Sequence, residues 1–170
     1  MMAIVDVIES IVKEVQSRYD LESGEKPYFL HGHPQEIVNI LSKKSAHDEF
    51  KYKKYPLIAL FQDFREQTRN GITEARLNLV ICTNTSQNYY ANERYNETFK
   101  KTLYPIFELF LEAFENSNDI ALYPGQMEFD KWDRLYWGRQ GLAGNEGNVF
   151  NDFIDAIEIE NLFIKLTEKC

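Results

Sequence analysis

The stretch PLIALFQDFREQTRNGITEARLNLVICT, residues 56–83, limits what this chain can fold into more than any other segment. From Ile72 to Thr83, Ala75, Leu77, Leu79 and Ile81 alternate with Glu74, Arg76 and Asn78. Side chains of a strand point to its two faces in turn, so this pattern predicts a sheet with one covered face. The run from Pro56 to Glu66 is apolar enough to pair with it. Between them lies Asn70-Gly71, a dipeptide that accepts the positive φ of a tight hairpin turn. A β-hairpin is expected here, and the rest of the chain must supply a cover for its apolar face.

A helical period from Asn88 to Asn116 supplies one. Tyr95, Phe99, Leu103, Ile106, Phe110 and Phe114 recur every three or four residues, which builds an aromatic stripe that needs a large apolar surface beneath it. Pro105 falls inside this run and predicts a kink or a restart. A second amphipathic helix opens the chain, with Ile4, Ile8, Ile11 and Val15 inward and Asp6, Glu9, Lys13 and Glu14 in water; it ends near Gly24 and Pro27. YFLHGHPQEIVNILSKK reads as an extended piece, a turn and a short helix with Pro34 at its first position. SAHDEFKYKKYP follows as a polar connector carrying Lys51, Lys53 and Lys54.

Later, DIALYPGQMEFDKWDRLYW predicts a short strand, a Pro124-Gly125 turn and a second extended run. In NDFIDAIEIENLFIKL, Ile157 and Ile159 hold one face, but beyond Asn161 the apolar positions become Leu162, Ile164 and Leu166. A bulge near Glu160-Asn161 explains this change of parity. The expected class is α+β: a mostly antiparallel sheet, from hairpin 56–83 and late strands, covered by a long aromatic helix, with an N-terminal helix. With 170 residues, 44% of them hydrophobic, and no internal repeat, residues 1–170 are expected to form a single domain with a flexible glycine-rich loop at 138–148.

The formal net charge is −8, which argues against a nucleic-acid binder because duplex binding depends on neutralising phosphates. Residues 1–85 hold 11 Lys/Arg against 12 Asp/Glu, net −1, and residues 86–170 hold 8 against 15, net −7. An acidic second half would repel DNA or meet a basic partner. The two cysteines, Cys82 and Cys170, offer neither a disulfide framework nor a metal-ligand spacing. No apolar run approaches the roughly 20 residues of a membrane span, and MMAIVDVIESIVKEV has acids where a signal peptide starts basic. A soluble, cytosolic protein is expected.

WGRQGLAGNEGN, residues 137–148, places glycine at 138, 141, 144 and 147. A phosphate-binding loop would need Gly-Lys-Ser/Thr, or G-x-G-x-x-G, before a helix; here Arg139 is the sole cation and a strand follows. The stretch reads as a long hairpin tip that reaches a neighbour. The residues nominated for that contact are Gly138, Arg139, Gln140, Leu142, Asn145 and Asn148, with Trp137 at the base. Leu142 is the sharpest, since an apolar side chain at a polar tip gains little until something covers it.

Other candidate chemistry is thin. His31 and His33 form an H-x-H that could aim two imidazoles at a metal, although His33 also directly precedes a helix start. Asp63 and Glu74 are spaced like the acidic hairpin of metal-dependent nucleases, but position 76 is an arginine where those enzymes use lysine. KKSAHDEFKYKKY interleaves lysines with Tyr52 and Tyr55 and is interrupted by Asp48 and Glu49, so a solvated connector is expected. Cys82, in an apolar strand, is expected to be buried and inert. No catalytic, cofactor-binding or metal residue is nominated.

The helix, the hairpin YKKYPLIALFQDFREQTRNGITEARLNLVICTNT, the helix ERYNETFKKTLYPIFELFLEAF and late strands split by a long loop together resemble the tail-terminator and head-to-tail connector (neck ring) proteins of tailed bacteriophages. KYPLIALFQDF is also similar to phage structural proteins, whereas LHGHPQEIVNILSKK has no counterpart in the family pattern. The resemblance implies a non-enzymatic virion component, present in the host cytoplasm during assembly. Its copies would form a homo-oligomeric ring stacked on portal, adaptor or tail proteins, through which DNA passes without specific binding and with no membrane involved. Two other classes remain open from the residues alone: a metal-dependent nuclease-like enzyme using hairpin 56–83, and a small acidic adaptor that binds a protein.

Overall fold

The computed structural model describes residues 3–19, 26–46, 55–137 and 153–167, with the backbone alone for 42–46. Its elements run α1 (Ile4–Arg18), β1 (Tyr28–Gly32), α2 (Pro34–Ala46), β2 (Leu57–Phe61), β3 (Gln67–Arg69), β4 (Ile72–Asn84), α3 (Ala91–Arg94), a π-wound stretch (Tyr95–Leu103), α4 (Tyr104–Glu115), β5 (Asp130–Arg134) and β6 (Ile154–Thr167). The strands form one six-stranded sheet in the order β1-β2-β4-β6-β5, with β3 pairing on β4. Every pairing is antiparallel except β1 with β2. The expected α+β architecture is therefore present.

The hairpin turns where Asn70-Gly71 predicts it. Both residues have positive φ, 52° and 74°, and Arg69 pairs with Ile72 across the two-residue loop. The strand expected from Pro56 to Glu66 is not continuous, however. Phe61 faces Asn78 and Gln67 faces Glu74, so the first strand crosses a shorter opposing segment with surplus residues, and 62–66 leave the ladder. The bulge in β6 is also where the parity change puts it. Register slips between Leu77, opposite Leu162, and Leu79, opposite Ile159. Asn161 takes φ 56° there; its N–H donates to Asn78 Oδ1 at 3.0 Å and its Nδ2 to Asp130 Oδ2 at 3.1 Å. A short amide side chain tolerates the left-handed region and fastens the extra residue to both neighbouring strands.

One face of the sheet is covered by α1 and the long helix together. Ile58, Leu60, Ala75, Leu77, Leu79, Ile81, Ile157, Ile159, Leu162 and Ile164 meet Ile4, Ile8, Ile11, Val15, Phe99, Leu103, Ile106, Phe110 and Phe114 in a single core. Fully burying each Phe or Leu contributes about 1.5–3 kcal/mol, and this layer is the larger of the two buried cores. Arg18 of α1 reaches Glu112 of α4 at 2.8 Å, in water at the surface. The opposite face is not bare, as a one-faced sheet would be. A second core joins Ile37, Val38 and Leu41 of α2 to Leu57, Ala59, Val80, Cys82, Ala156 and Trp137. Here α2 bridges parallel strands β1 and β2, and a parallel pair needs such a crossover. Tyr55, read as part of a solvated connector, is buried in this core. The lysines at 51, 53 and 54 lie outside the described residues.

Between α3 and α4 the helix is wound wider than an α-helix: the N–H of Tyr104 bonds the carbonyl of Phe99, five residues back. Pro105 then stands in the first turn of the resumed α-helix, a restart of the kind a proline allows. The wider winding shifts the inward stripe by one residue. Counting from Phe99 at helical spacing predicts an inward Tyr95, yet Tyr95 is 49% exposed and Arg94 is the residue that is buried. In DIALY no strand forms; Ile120 makes one isolated bridge to Leu166.

Candidate assembly surface

β5 and β6 pair from Asp130 with Glu160 to Arg134 with Ala156. The chain that joins them, 135–153, far exceeds the 2–5 residues of an ordinary hairpin loop. Gly138, Arg139, Gln140, Leu142, Asn145 and Asn148 lie outside the described residues. The two roots of the segment do not, and they are fixed in unusual detail.

Trp137, nominated at the base, is 4% exposed and belongs to the second core. Its backbone N–H donates to Ile154 O at 2.7 Å, and its indole Nε1 donates to Glu158 Oε1 at 2.7 Å. Glu158 also takes Arg134 Nε, at 2.9 Å on its other oxygen. The Trp137 ring is thus a plug in the second core, and its faces are already covered within the chain. Tyr136 beside it has φ 52°, and its ring meets Phe153 edge-on at 5.8 Å between centroids.

Below this plug lies a buried polar cluster. Asp155 is fully buried and Arg94 is 6% exposed; Arg94 Nε sits 3.3 Å from Asp155 Oδ2. Nε finds no acceptor in good hydrogen-bond geometry, so this contact is an ion pair, not an aligned bond. The guanidinium is held by Nη2, which donates to Tyr89 O at 3.1 Å and to the Tyr136 hydroxyl. The Arg94 guanidinium carbon also lies 4.3 Å from the Tyr136 ring centroid. Asp155 Oδ1 accepts the Tyr136 N–H at 3.2 Å. The Thr98 hydroxyl lies 2.9 Å from Asp155 Oδ2 and 2.7 Å from Arg94 O. One carboxylate therefore binds the outgoing root, the returning root and the start of the long helix. A buried pair of this kind costs desolvation, and what it gives here is position.

The sequence contained one usable signal for this cluster: in FIDAIEI, Asp155 is a charge set among residues that are otherwise inward. Arg94 carried no such signal, because its inward place depends on the wide winding of the helix.

The remaining candidate residues are brought into structural roles. His33 Nδ1 accepts the N–H of Gln35 at 3.2 Å and so caps α2. His31 Nδ1 pairs with Gln62 Oε1 at 2.7 Å. Glu74 faces Lys165 at 3.6 Å and Arg76 faces Glu128 at 3.2 Å. A shallow groove of about 430 Å³ beside the hairpin is lined by Arg65, Gln67, Glu74, Ala75, Arg76 and Phe163, and Asp63 is not part of it. Among the described residues no three His, Cys, Asp or Glu side chains are grouped as metal ligands. Cys82 is buried. No described helix is long and apolar enough to cross a membrane.

Large apolar side chains stay in water at both ends of the sheet. Trp132 of β5 is 47% exposed, Leu135 just after it 54%, and Tyr28 of β1 40%. No protein-family model matches this chain, and no curated protein matches it.

Proposed function

We propose that this chain is a non-enzymatic structural protein of a phage virion that forms a ring in the neck or tail, as a head-to-tail connector or tail terminator. The observation that carries the reading is the clamp at 136–137 and 153–155. The chain between β5 and β6 is much longer than a hairpin requires, and the two described ends that flank it are held by one buried carboxylate. A long connection anchored at both ends suits contact with a neighbouring copy. The element order, which resembles that of phage ring proteins, supports the same reading. On hairpin 56–83, Glu74 faces Lys165 and Arg76 faces Glu128, cross-strand pairs of the kind that support a sheet. On this reading the partners are further copies of the chain and portal, adaptor or tail proteins. The acidic second half lets DNA slide past without sticking.

The test uses Leu142→Asp, with assembly followed by electron microscopy and sedimentation of the purified chain, alone and on phage particles. Rings that the variant weakens while its thermal melting is unchanged support the reading. A protein that is monomeric in solution and absent from virions overturns it. Salt-sensitive capture of one soluble partner without rings would replace it with the adaptor role.

A further inference from the structure

We infer that copies of this chain join edge to edge, with β5 of one copy pairing antiparallel to β1 of the next so that the sheet continues across the contact. The inference deepens the ring reading and rests on it only for closure.

Three observations carry it. Among the described residues, β1 and β5 end the sheet and neither has a strand on its outer side. Their directions also fit. β1 and β2 run together, β4 opposes them, β6 opposes β4, and β5 opposes β6. A second copy in the same orientation therefore brings its β1 antiparallel to β5, and both strands are five residues long.

The third observation is how the two edges are dressed. Exposed edges are normally guarded by charge, proline or a bulge. β1, YFLHG, contains no Lys, Arg, Asp, Glu or Pro. β5, DKWDR, carries four charged residues and is exposed throughout, but each charge has a partner within the chain: Asp130 accepts from Asn161 Nδ2. Lys131 lies over the Tyr104 ring and pairs with Asp133, and Arg134 pairs with Glu158. The residues left in water on these strands include Tyr28 and Trp132.

Register follows from the faces. Leu30 packs toward the second core. Trp132 pairs with Glu158, which holds the Trp137 indole on that same side. Only a pairing that sets Leu30 opposite Trp132, or slips from it by an even step, keeps both faces continuous, because a slip of one inverts every side chain. In the centred register Tyr28 lies opposite Arg134. A heterologous contact of this type closes into a ring or runs on as a filament. With only five residues on each side it is far smaller than the roughly 1,600 Å² of a standard stable interface, so single contacts are weak and assemblies form cooperatively.

The experiment uses the full chain in a Cys170→Ser background, with Leu30→Cys and Trp132→Cys made separately and together and oxidised with copper-phenanthroline. Covalent dimers from mixing the two single variants, a ladder from the double variant, and few from either variant alone are the expected result. Efficient cross-linking of either single variant with itself means two-fold pairing of like edges and overturns the inference. Tyr28→Lys with Trp132→Lys, which sets like charges beside Arg134 across the contact, should lower assembly at least tenfold in protein concentration while melting stays nearly unchanged. Rings that form without cross-links and ignore these edge changes overturn the inference but leave the ring reading standing. An uncross-linked chain that is monomeric at every concentration and on particles overturns both.

Discussion

Arg94 and Asp155 meet at 3.3 Å inside the protein, joining the start of the long helix to the returning root of the 138–152 segment. Removing either partner leaves a buried charge without its counter-ion. Asp155→Ala should cost about 3–5 kcal/mol, the range found when a buried ion pair loses one member, read as the shift in urea midpoint. Replacing both by apolar residues should cost less than the two single changes added together. Additivity in that double-mutant cycle would show that the two side chains are not coupled.

Asn161 separates backbone strain from side-chain contact. At φ 56° an alanine meets the left-handed penalty of about 1–2 kcal/mol and also loses the amide bond to Asp130. Asn161→Gly loses only the bond. Thermal or urea unfolding should rank the wild type first, then glycine, then alanine; an alanine variant as stable as glycine would contradict the bulge geometry.

The two tryptophans should report opposite environments. In Trp132→Phe, the remaining Trp137 should emit at short wavelength and resist acrylamide. In Trp137→Phe, the remaining Trp132 should be readily quenched. Trp137→Ala should lose about 3–5 kcal/mol as a large core truncation, whereas Trp132→Ala, which loses only the exposed indole bond to Glu160 and the Arg134 guanidinium over its ring, should cost about 1 kcal/mol in the unassembled chain.

Tyr104 should give the fold an alkaline limit. Burial, then the hydrogen bond it donates to Asp133 at 2.8 Å and the charge of that carboxylate, push its phenol up to about 12. The unfolded chain releases the same proton near about 10. Between those values the folded state holds a proton that the unfolded state has lost. The contribution is therefore fully present below about pH 10 and declines as pH rises through about 12. Denaturant titrations at pH 9 and pH 11 should show a smaller loss of stability in Tyr104→Phe than in the wild type.

Much of the architecture was written in local signals. Asn70-Gly71 fixed a turn because few dipeptides accept two positive φ values, and the change of parity after Asn161 located a bulge because an extra residue must reverse the faces. Phe99 to Phe114 marked the helix that covers the sheet. What was not legible depends on partners distant in sequence. The parallel β1–β2 pair and the second core beneath α2 need a crossover that no local pattern announces. The departure of 62–66 from the ladder is visible only once Phe61 faces Asn78 and Gln67 faces Glu74. The clamp formed by Arg94, Tyr136 and Asp155 was not legible, because it joins residues that lie far apart in sequence.

The wide winding between Arg94 and Leu103 makes the clamp a matter of phase. With ordinary α-helical spacing held from Phe99 backwards, the inward position is Tyr95; with the π-wound stretch it is Arg94. Length is therefore the heritable variable at this site. One codon lost between Arg94 and Phe99 would bring their interval from five residues to four, and ordinary α-winding would then keep the guanidinium opposite Asp155: the wide turn takes up one residue and leaves the clamp in phase.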